Sequence, residues 1–242
     1  MCGIFIALSK KIKLNKQVCA SSVRDLFNRG PDILKTNYFF NDTLFFANTV
    51  LSVTGNFNKS KNLVSSNNKK FFISFNGEIY NYKELNNLYL NDTKIVTDTE
   101  VLVNLHQKIQ FDKVPLLLNG MFAYAVLDYN KKQINIVTDP QGEKNIYYYN
   151  DNKYLIFSST IKSIITFLKK NMINIEIDQT VIKDYFSTRH YMPVEKTCYK
   201  NLKILSNGSI LKFDLKNNHF INHKYDDPVN WISEKKYFSY SK

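Results

Sequence analysis

The chain is short of the residues that define several classes of protein. Its 242 residues include only three cysteines, Cys2, Cys19 and Cys198. An odd number at irregular spacing supports neither a disulfide framework nor a zinc site. We therefore expect a reducing, cytoplasmic setting without a metal, in which Cys2 stands out by its place at the start of the chain.

Long apolar runs are also missing. The longest, Phe71–Ile73 and Met121–Leu127, are too short to cross a bilayer. The N-terminus lacks a basic segment followed by a long apolar stretch, so we expect neither a signal peptide nor a membrane partner. A hydrophobic fraction of 44% with 22% charged residues is typical of a globular chain that buries a sizeable core.

Arginine is scarce although the net charge is +12: Arg24, Arg29 and Arg189 stand among 33 basic residues. Proteins that bind phosphate usually use the forked donors of arginine as well as lysine. The lysines are scattered in pairs rather than gathered in one stripe. This pattern favours a solvated lysine-rich surface, and we expect no nucleic-acid partner.

The pattern of apolar and turn residues predicts an α+β chain. Helices are predicted at Gln17–Asn28 and Thr99–Gln110, and a hairpin is predicted to turn at Asn41–Thr43. Four strand-like segments within Met121–Ser158 are predicted to form one antiparallel meander, and two short strands are predicted around Asn207–Gly208.

Cys2 is a candidate nucleophile. Removal of Met1 before the small Cys2 would place an α-amino group, with an ordinary pKa of about 7.7–8.0, on the residue whose thiol has an ordinary pKa of about 8.5. Such an amine can take the thiol proton directly or through water. Taken alone, a cysteine at the second position is better explained by chance.

Cys2 is followed by a series of short motifs in a fixed order. These are Met1-Cys2-Gly3-Ile4-Phe5, Arg29-Gly30-Pro31-Asp32, Phe75-Asn76-Gly77-Glu78-Ile79-Tyr80, Thr97-Asp98-Thr99-Glu100 and Asn119-Gly120-Met121-Phe122-Ala123. Each motif is weak alone, but the ordered set closely resembles the glutaminase domain of glutamine-dependent asparagine synthetases. That family belongs to the class II glutamine amidotransferases, and the resemblance covers nearly the whole chain.

The resemblance implies a fold and a domain division. The fold would be that of the N-terminal nucleophile hydrolases, a four-layer αββα sandwich of two antiparallel sheets flanked by helices. Residues 1–225 would form the amidotransferase domain, and residues 226–242 would form a connector toward a synthetase domain absent from this sequence.

The resemblance also implies roles for individual residues. Cys2 would attack glutamine, while Asn76 and Gly77 would form an oxyanion hole. The local alternative for Asn76-Gly77 is a two-residue hairpin turn, but the sequence that follows predicts a helix instead of a second strand. Asp98 would bind the α-ammonium group of glutamine and would also complement the dipole of its helix.

The substrate-binding set implied by the resemblance is Val50, Leu51, Ser52, Val53, Asn76, Gly77, Glu78 and Asp98. Val50 departs from the family, which has an arginine there that pairs with the α-carboxylate of glutamine. Either another cation, such as a lysine, replaces it, or the substrate differs, or glutamine hydrolysis is weak. Thr138 and Thr160 also replace a family arginine and glutamate.

Two hypotheses follow. The domain either hydrolyses glutamine and passes ammonia to a synthetase domain or subunit, or it is a degenerate structural module beside such a domain. No glycine-rich ATP loop occurs in the sequence, so no cofactor is expected here, and ATP and Mg²⁺ would belong to the synthetase region. The resemblance allows a homodimer.

Overall fold

The computed structural model describes residues 2–51, 63–188 and 195–226. In these ranges the strands form two antiparallel sheets. The strands of sheet 1 are β1 (Gly3–Ser9), β2 (Ile33–Phe39), β3 (Leu44–Val50), β8 (Tyr147–Asn150), β9 (Tyr154–Ser158) and β10 (Leu202–Ile204). The strands of sheet 2 are β4 (Val64–Ser65), β5 (Phe71–Ile79), β6 (Gly120–Asp128), β7 (Gln133–Thr138), β11 (Ser209–Asp214) and β12 (His219–Lys224).

The helices lie mainly between and after these strands. They are α1 (Lys16–Arg24), α2 (Tyr82–Leu85), α3 (Asp98–Lys108), α4 (Val114–Leu117), α5 (Ile161–Lys170) and α6 (Gln179–Ser187). A π-turn, Asn86–Leu90, extends α2, and a 3-10 turn, Phe111–Lys113, precedes α4. None of the described helices combines the length and the apolar character that spanning a membrane requires.

The two sheets face each other across a shared apolar core. Ile6 and Phe46 from sheet 1 and Leu127 and Phe213 from sheet 2 are buried there. On its other face, sheet 1 packs against α1 and α5, and sheet 2 packs against α3. The expected αββα sandwich is therefore confirmed.

β1 lies in the interior of sheet 1, whose strand order is β10-β8-β9-β1-β3-β2. It pairs with β3 from Gly3↔Thr49 to Leu8↔Leu44, and with β9 on its other side. All seven residues of β1 are buried, because sheet 2 covers one face and helices cover the other. The strand that follows Cys2 is thus held on every side.

The predicted single meander is wrong. β6 and β7 pair in sheet 2, whereas β8 and β9 pair in sheet 1. The segment between β7 and β8 crosses from one sheet to the other around Asp139. The buried Asp139 carboxylate accepts hydrogen bonds from the backbone N–H groups of Gln141, Glu143 and Lys144 at 3.0–3.1 Å, which fixes this crossing locally.

A second crossing occurs at Asn207-Gly208. The strands on its two sides, β10 and β11, belong to different sheets, so the pair is not a hairpin turn. The hairpin at Asn41–Thr43 is confirmed, since β2 and β3 pair up to Phe39↔Leu44. Helix α1 ends at Arg24, short of the predicted Asn28.

Candidate active site

Cys2 lies directly before β1 and is half-buried. Its carbonyl oxygen accepts a hydrogen bond of 3.1 Å from Arg29 Nε, so Arg29 anchors the backbone of the nucleophile candidate. The next residue is Gly3, where a Cβ atom would approach Thr49 Oγ1 to 2.6 Å. Only glycine lets the start of β1 pack this closely against β3.

Burial raises the pKa of the Cys2 thiol. The Asp98 carboxylate adds to this rise, while a hydrogen bond from the Leu51 backbone N–H and the charge of Arg29 oppose it. The thiol is therefore in electrostatic contact with residues from three separate parts of the chain. It also needs a base to become a thiolate near neutral pH.

Asn48, on β3, connects the two sheets next to Cys2. Its Nδ2 donates to Gly3 O at 2.9 Å and to Phe75 O at 3.0 Å, and its Oδ1 accepts from Phe75 N at 3.4 Å. One amide group thus fixes β1 and β5 against each other. Cys2 precedes Gly3 and Asn76 follows Phe75, so this bridge brings Cys2 and Asn76 to the same end of the two sheets.

Cys2 and Asn76 also face the same space. Ile4 points into the inter-sheet core, and alternation along a strand places Cys2 on the same face. Asn76 is paired with Ala123, which lies in that core, and directly paired residues share a face. Both side chains are therefore placed at the space between the two sheets.

The Asn76 amide has an unused donor. The residue is only 1% exposed, and its Nδ2 has no hydrogen-bond partner in the described part of the chain. Buried amide nitrogens are nearly always paired, because an unpaired one loses its hydration without compensation. Such a donor at the edge of a site is placed to bind an oxygen of a ligand.

Gly77 follows with φ of +153° and no space for a side chain. A Cβ atom there would overlap the carbonyl oxygen of Met121 on β6. The strand β5 continues through Asn76-Gly77 to Ile79, so the hairpin-turn alternative for this pair is wrong. Glu78 is exposed at the end of the strand.

Asp98 is the first residue of α3 and is held against β5. Its Oδ2 accepts from Ile79 N at 3.2 Å, and its Oδ1 accepts from Thr99 N at 2.6 Å. Burial raises the pKa of the Asp98 carboxyl, with a further rise from Glu78, while these hydrogen bonds lower it. A cation bound beside this carboxylate would stabilise its charged form.

The capping box at the start of α3 fixes Asp98. Thr97 Oγ1 accepts from Glu100 N at 3.2 Å, and the Glu100 carboxylate accepts from Thr97 N at 3.1 Å. The sequence predicted this box, and it is confirmed.

Val50 and Leu51 complete the described part of the predicted substrate-binding set. Val50 is half-buried at the end of β3, and its carbonyl accepts from Asp32 N at 3.2 Å. Ser52 and Val53 lie outside the described residues, as do residues 227–242 of the predicted connector. Among described residues, no group of three or more His, Cys, Asp or Glu is arranged to hold a metal ion.

Thr138 and Thr160 have structural partners. Thr138 Oγ1 donates to Ser206 O at 2.7 Å, and Thr160 caps α5 by accepting from Ser163 N at 3.4 Å. Asn48, in contrast, belongs to none of the sequence motifs and was not predicted. Its importance depends on the packing of the two sheets.

The chain is similar to several known proteins. Residues 1–226 match a family model described as a glutamine amidotransferase domain. The putative asparagine synthetase [glutamine-hydrolyzing] 2 of Methanocaldococcus jannaschii is 38% identical over 143 residues, which are 59% of this chain and 27% of that protein. Asparagine synthetase [glutamine-hydrolyzing] 1 of Bacillus subtilis is 30% identical over 219 residues, covering 86% of this chain and 33% of that protein.

The chain therefore spans about a third or less of the length of these two relatives. Among solved structures, glutamine phosphoribosylpyrophosphate amidotransferase from B. subtilis superimposes with a TM-score of 0.65 at 14% identity. That match covers 93% of this chain and 49% of the other chain. At this identity the likeness concerns the fold.

Proposed function

Because this chain belongs to the family of glutamine amidotransferase domains, we propose that it hydrolyses glutamine to glutamate and ammonia through a thioester on Cys2. The observation that carries the proposal is the buried, unpartnered Nδ2 of Asn76 on the strand that Asn48 fastens to the start of β1. A thiol and an unused amide donor facing one space are the parts that amide hydrolysis requires.

The proposed reaction has two steps. Removal of Met1 beforehand leaves a free α-amino group on Cys2. In the first step this amine takes the thiol proton while Sγ bonds to the side-chain amide carbon of glutamine. The C–N bond then breaks, and the proton leaves with the ammonia. In the second step, water attacks the thioester, which releases glutamate and restores the thiol. The amine is needed because burial raises the pKa of the thiol.

Asn76 Nδ2 and the Gly77 backbone N–H would stabilise the oxyanion formed in both steps. The Asp98 carboxylate, raised in pKa chiefly by burial, would bind the α-ammonium group of glutamine and regain a stable negative charge. Leu51 would hold the substrate through its backbone, and Glu78 lies beside Gly77 at the end of β5.

A glutaminase assay tests the proposal. Protein whose Met1 removal has been verified by mass spectrometry is expected to release glutamate from glutamine, and Cys2→Ala is expected to abolish the release. Lys10→Met is the matched control, since Lys10 contacts Asn150 and Asp151 beyond the opposite end of β1. Equal rates for wild type and Cys2→Ala would overturn the proposal.

A degenerate module is the second candidate. The apolar Val50 and the raised pKa of Cys2 favour it, since both weaken a glutaminase. This candidate predicts no saturable binding of glutamine at millimolar concentration, whereas the first predicts saturation.

The ammonia would pass to a synthetase domain or subunit with a carboxylate acceptor, since both curated relatives are named as asparagine synthetases. Glutamine labelled with ¹⁵N in its amide, supplied with excess unlabelled ammonium, tests this transfer. Product dominated by ¹⁵N supports direct passage in the assembled enzyme. Product carrying the isotope ratio of the bulk solution contradicts it.

A further inference from the structure

Lys35 is a buried lysine on β2. The residue is only 7% exposed, and it is paired directly with Asn48 on β3. The Asn48 side chain points across to Phe75 of sheet 2. Because directly paired residues share a face, the Lys35 side chain enters the same space between the sheets, at the end where Cys2 and Asn76 meet.

The Lys35 ammonium group lacks a partner. Among the described residues it forms neither a hydrogen bond nor an ion pair. Burial lowers the pKa of Lys35, and the nearby Glu100 carboxylate opposes this. However, Glu100 Oε2 already accepts from Val96 N and Thr97 N, each at 3.1 Å. A mostly buried lysine without a carboxylate partner loses much of its hydration without compensation, and an anionic ligand would offset that cost.

Lys35 lies within reach of the substrate-binding residues. Val50 pairs with Ile33, so Lys35 is its diagonal neighbour on the same face of sheet 1. Diagonal neighbours are roughly 7–8 Å apart, within reach of a long side chain. Glu100, whose charge acts on Lys35, is two residues from Asp98 in the first turn of α3.

We propose that the Lys35 ammonium binds the α-carboxylate of the glutamine substrate, an inference that rests on the proposed function. Glutamine carries one positive and one negative charge beside its amide chain. Asp98 and Lys35 would bind these charges from opposite sides of the inter-sheet space. The pair would select an amide that bears both an α-ammonium and an α-carboxylate group.

Binding measurements separate this inference from the catalytic proposal. Intact Cys2→Ala protein, which cannot turn over substrate, is titrated with glutamine by calorimetry, with and without Lys35→Met. We expect Lys35→Met to weaken binding about 30-fold or more, since loss of one partner from a buried charge pair has a cost of this size. Lys35→Arg should retain most of the affinity, and Lys10→Met should leave it unchanged.

The ligand 4-aminobutanamide, which lacks only the α-carboxylate, provides the specificity test. Its affinity for Cys2→Ala protein should be the same with and without the added Lys35→Met substitution. Cys2→Ala protein that retains Lys35 should bind it more weakly than glutamine. If Lys35→Met does not fold cooperatively, two other measurements test the inference. They are the affinities of Cys2→Ala protein for the two ligands and the glutamine affinity of the Lys35→Arg variant. If the affinities of Cys2→Ala protein for glutamine and for 4-aminobutanamide differ by less than about threefold, Lys35 does not bind the α-carboxylate.

Two outcomes overturn the inference: glutamine affinity within about threefold of the parent after Lys35→Met, or no glutamine binding by the parent. A different result overturns the catalytic proposal alone. In that case glutamine binding depends on Lys35, but intact protein shows no Cys2-dependent release of glutamate.

Discussion

Asn76 combines an expected cost in fold stability with a proposed role in the chemistry. Its amide nitrogen is buried without a partner among the described residues, so the free protein retains the cost of desolvating that donor. The proposed oxyanion would occupy this donor during reaction, and the donor would need no reorganisation at that moment.

Asn76→Ala separates these two effects. We expect kcat to fall by about 10²–10³, the usual effect of losing one oxyanion donor. The free energy of unfolding should change little, because Nδ2 makes no hydrogen bond to the described residues that the substitution would break. Steady-state kinetics and urea unfolding measure the two quantities, and a large loss of stability with unchanged kcat would refute the assigned role.

At the scale of elements, α3 connects the candidate site to the core. Its first turn carries Asp98, and its later turns bury Leu102 and Leu105 against sheet 2. The position of the Asp98 carboxylate therefore depends on how α3 begins. The capping box sets that beginning.

Removing the cap of α3 should affect both stability and substrate binding. Thr97→Ala is expected to cost about 1 kcal/mol of unfolding free energy and to raise KM for glutamine, because the turn that carries Asp98 loosens. Thr160→Ala, which removes the corresponding cap of α5, should have a similar cost in stability without a change in KM. Equal effects of the two variants on KM would show that α3 does not position the substrate.

The buried end of α3 should make the protein sensitive to acid. His106 stacks on Phe111 with ring centroids 4.4 Å apart, and burial lowers the pKa of His106 to about 3. In the unfolded chain this histidine binds a proton near pH 6.5, whereas in the folded protein it does so only near pH 3. The contribution of His106 to the free energy of unfolding is therefore complete above about pH 6.5 and is lost as the pH falls toward 3.

The expected loss is about 2 kcal/mol between pH 7.5 and pH 5, because the cost approaches 1.36 kcal/mol per pH unit below about pH 6.5. Urea unfolding of wild type and His106→Leu at both pH values measures it. The difference between the pH slopes of the two proteins isolates His106, with the exposed His219→Gln as control. Identical slopes for wild type and His106→Leu would contradict this prediction.

At the scale of the whole molecule, the two sheets are joined by polar contacts at one end. Asn48 bonds to both β1 and β5, and Ser74 Oγ donates to Ala47 O at 2.9 Å. Each crosses the space between the sheets, most of which is filled by apolar side chains. The position of Cys2 relative to Asn76 thus depends on how the sheets are held together.

Asn48→Ala and Ser74→Ala form a matched pair. Each should lower the free energy of unfolding by about 1–3 kcal/mol, since buried backbone groups lose a partner. Only Asn48→Ala should also lower kcat, because Asn48, unlike Ser74, bonds to the residue after Cys2. Thermal unfolding and the glutaminase assay measure the two effects, and equal losses of kcat would contradict a specific positioning role.

Much of this architecture could be predicted, and the part that could not has a physical reason. The strands of the β6–β7 and β8–β9 hairpins were predictable because apolar runs and turn residues are local signals. Their division between two sheets was not, since it depends on bonds such as those of Asp139. The motifs identified Cys2, Asn76, Gly77 and Asp98 as candidates, whose roles stay predictions. Lys35 and Asn48 could not be identified, because only strand pairing places them at the site.

The interior position of β1 has a consequence for biosynthesis. Phe5 pairs with Ser158 of β9, so β1 lacks one of its neighbours until that part of the chain has been made. At about 5–20 residues per second, the interval is roughly 8–30 s. During this time we expect the N-terminus of the nascent chain to be accessible to an aminopeptidase. We therefore expect the proposed removal of Met1 to occur on the nascent chain, before β9 docks against β1.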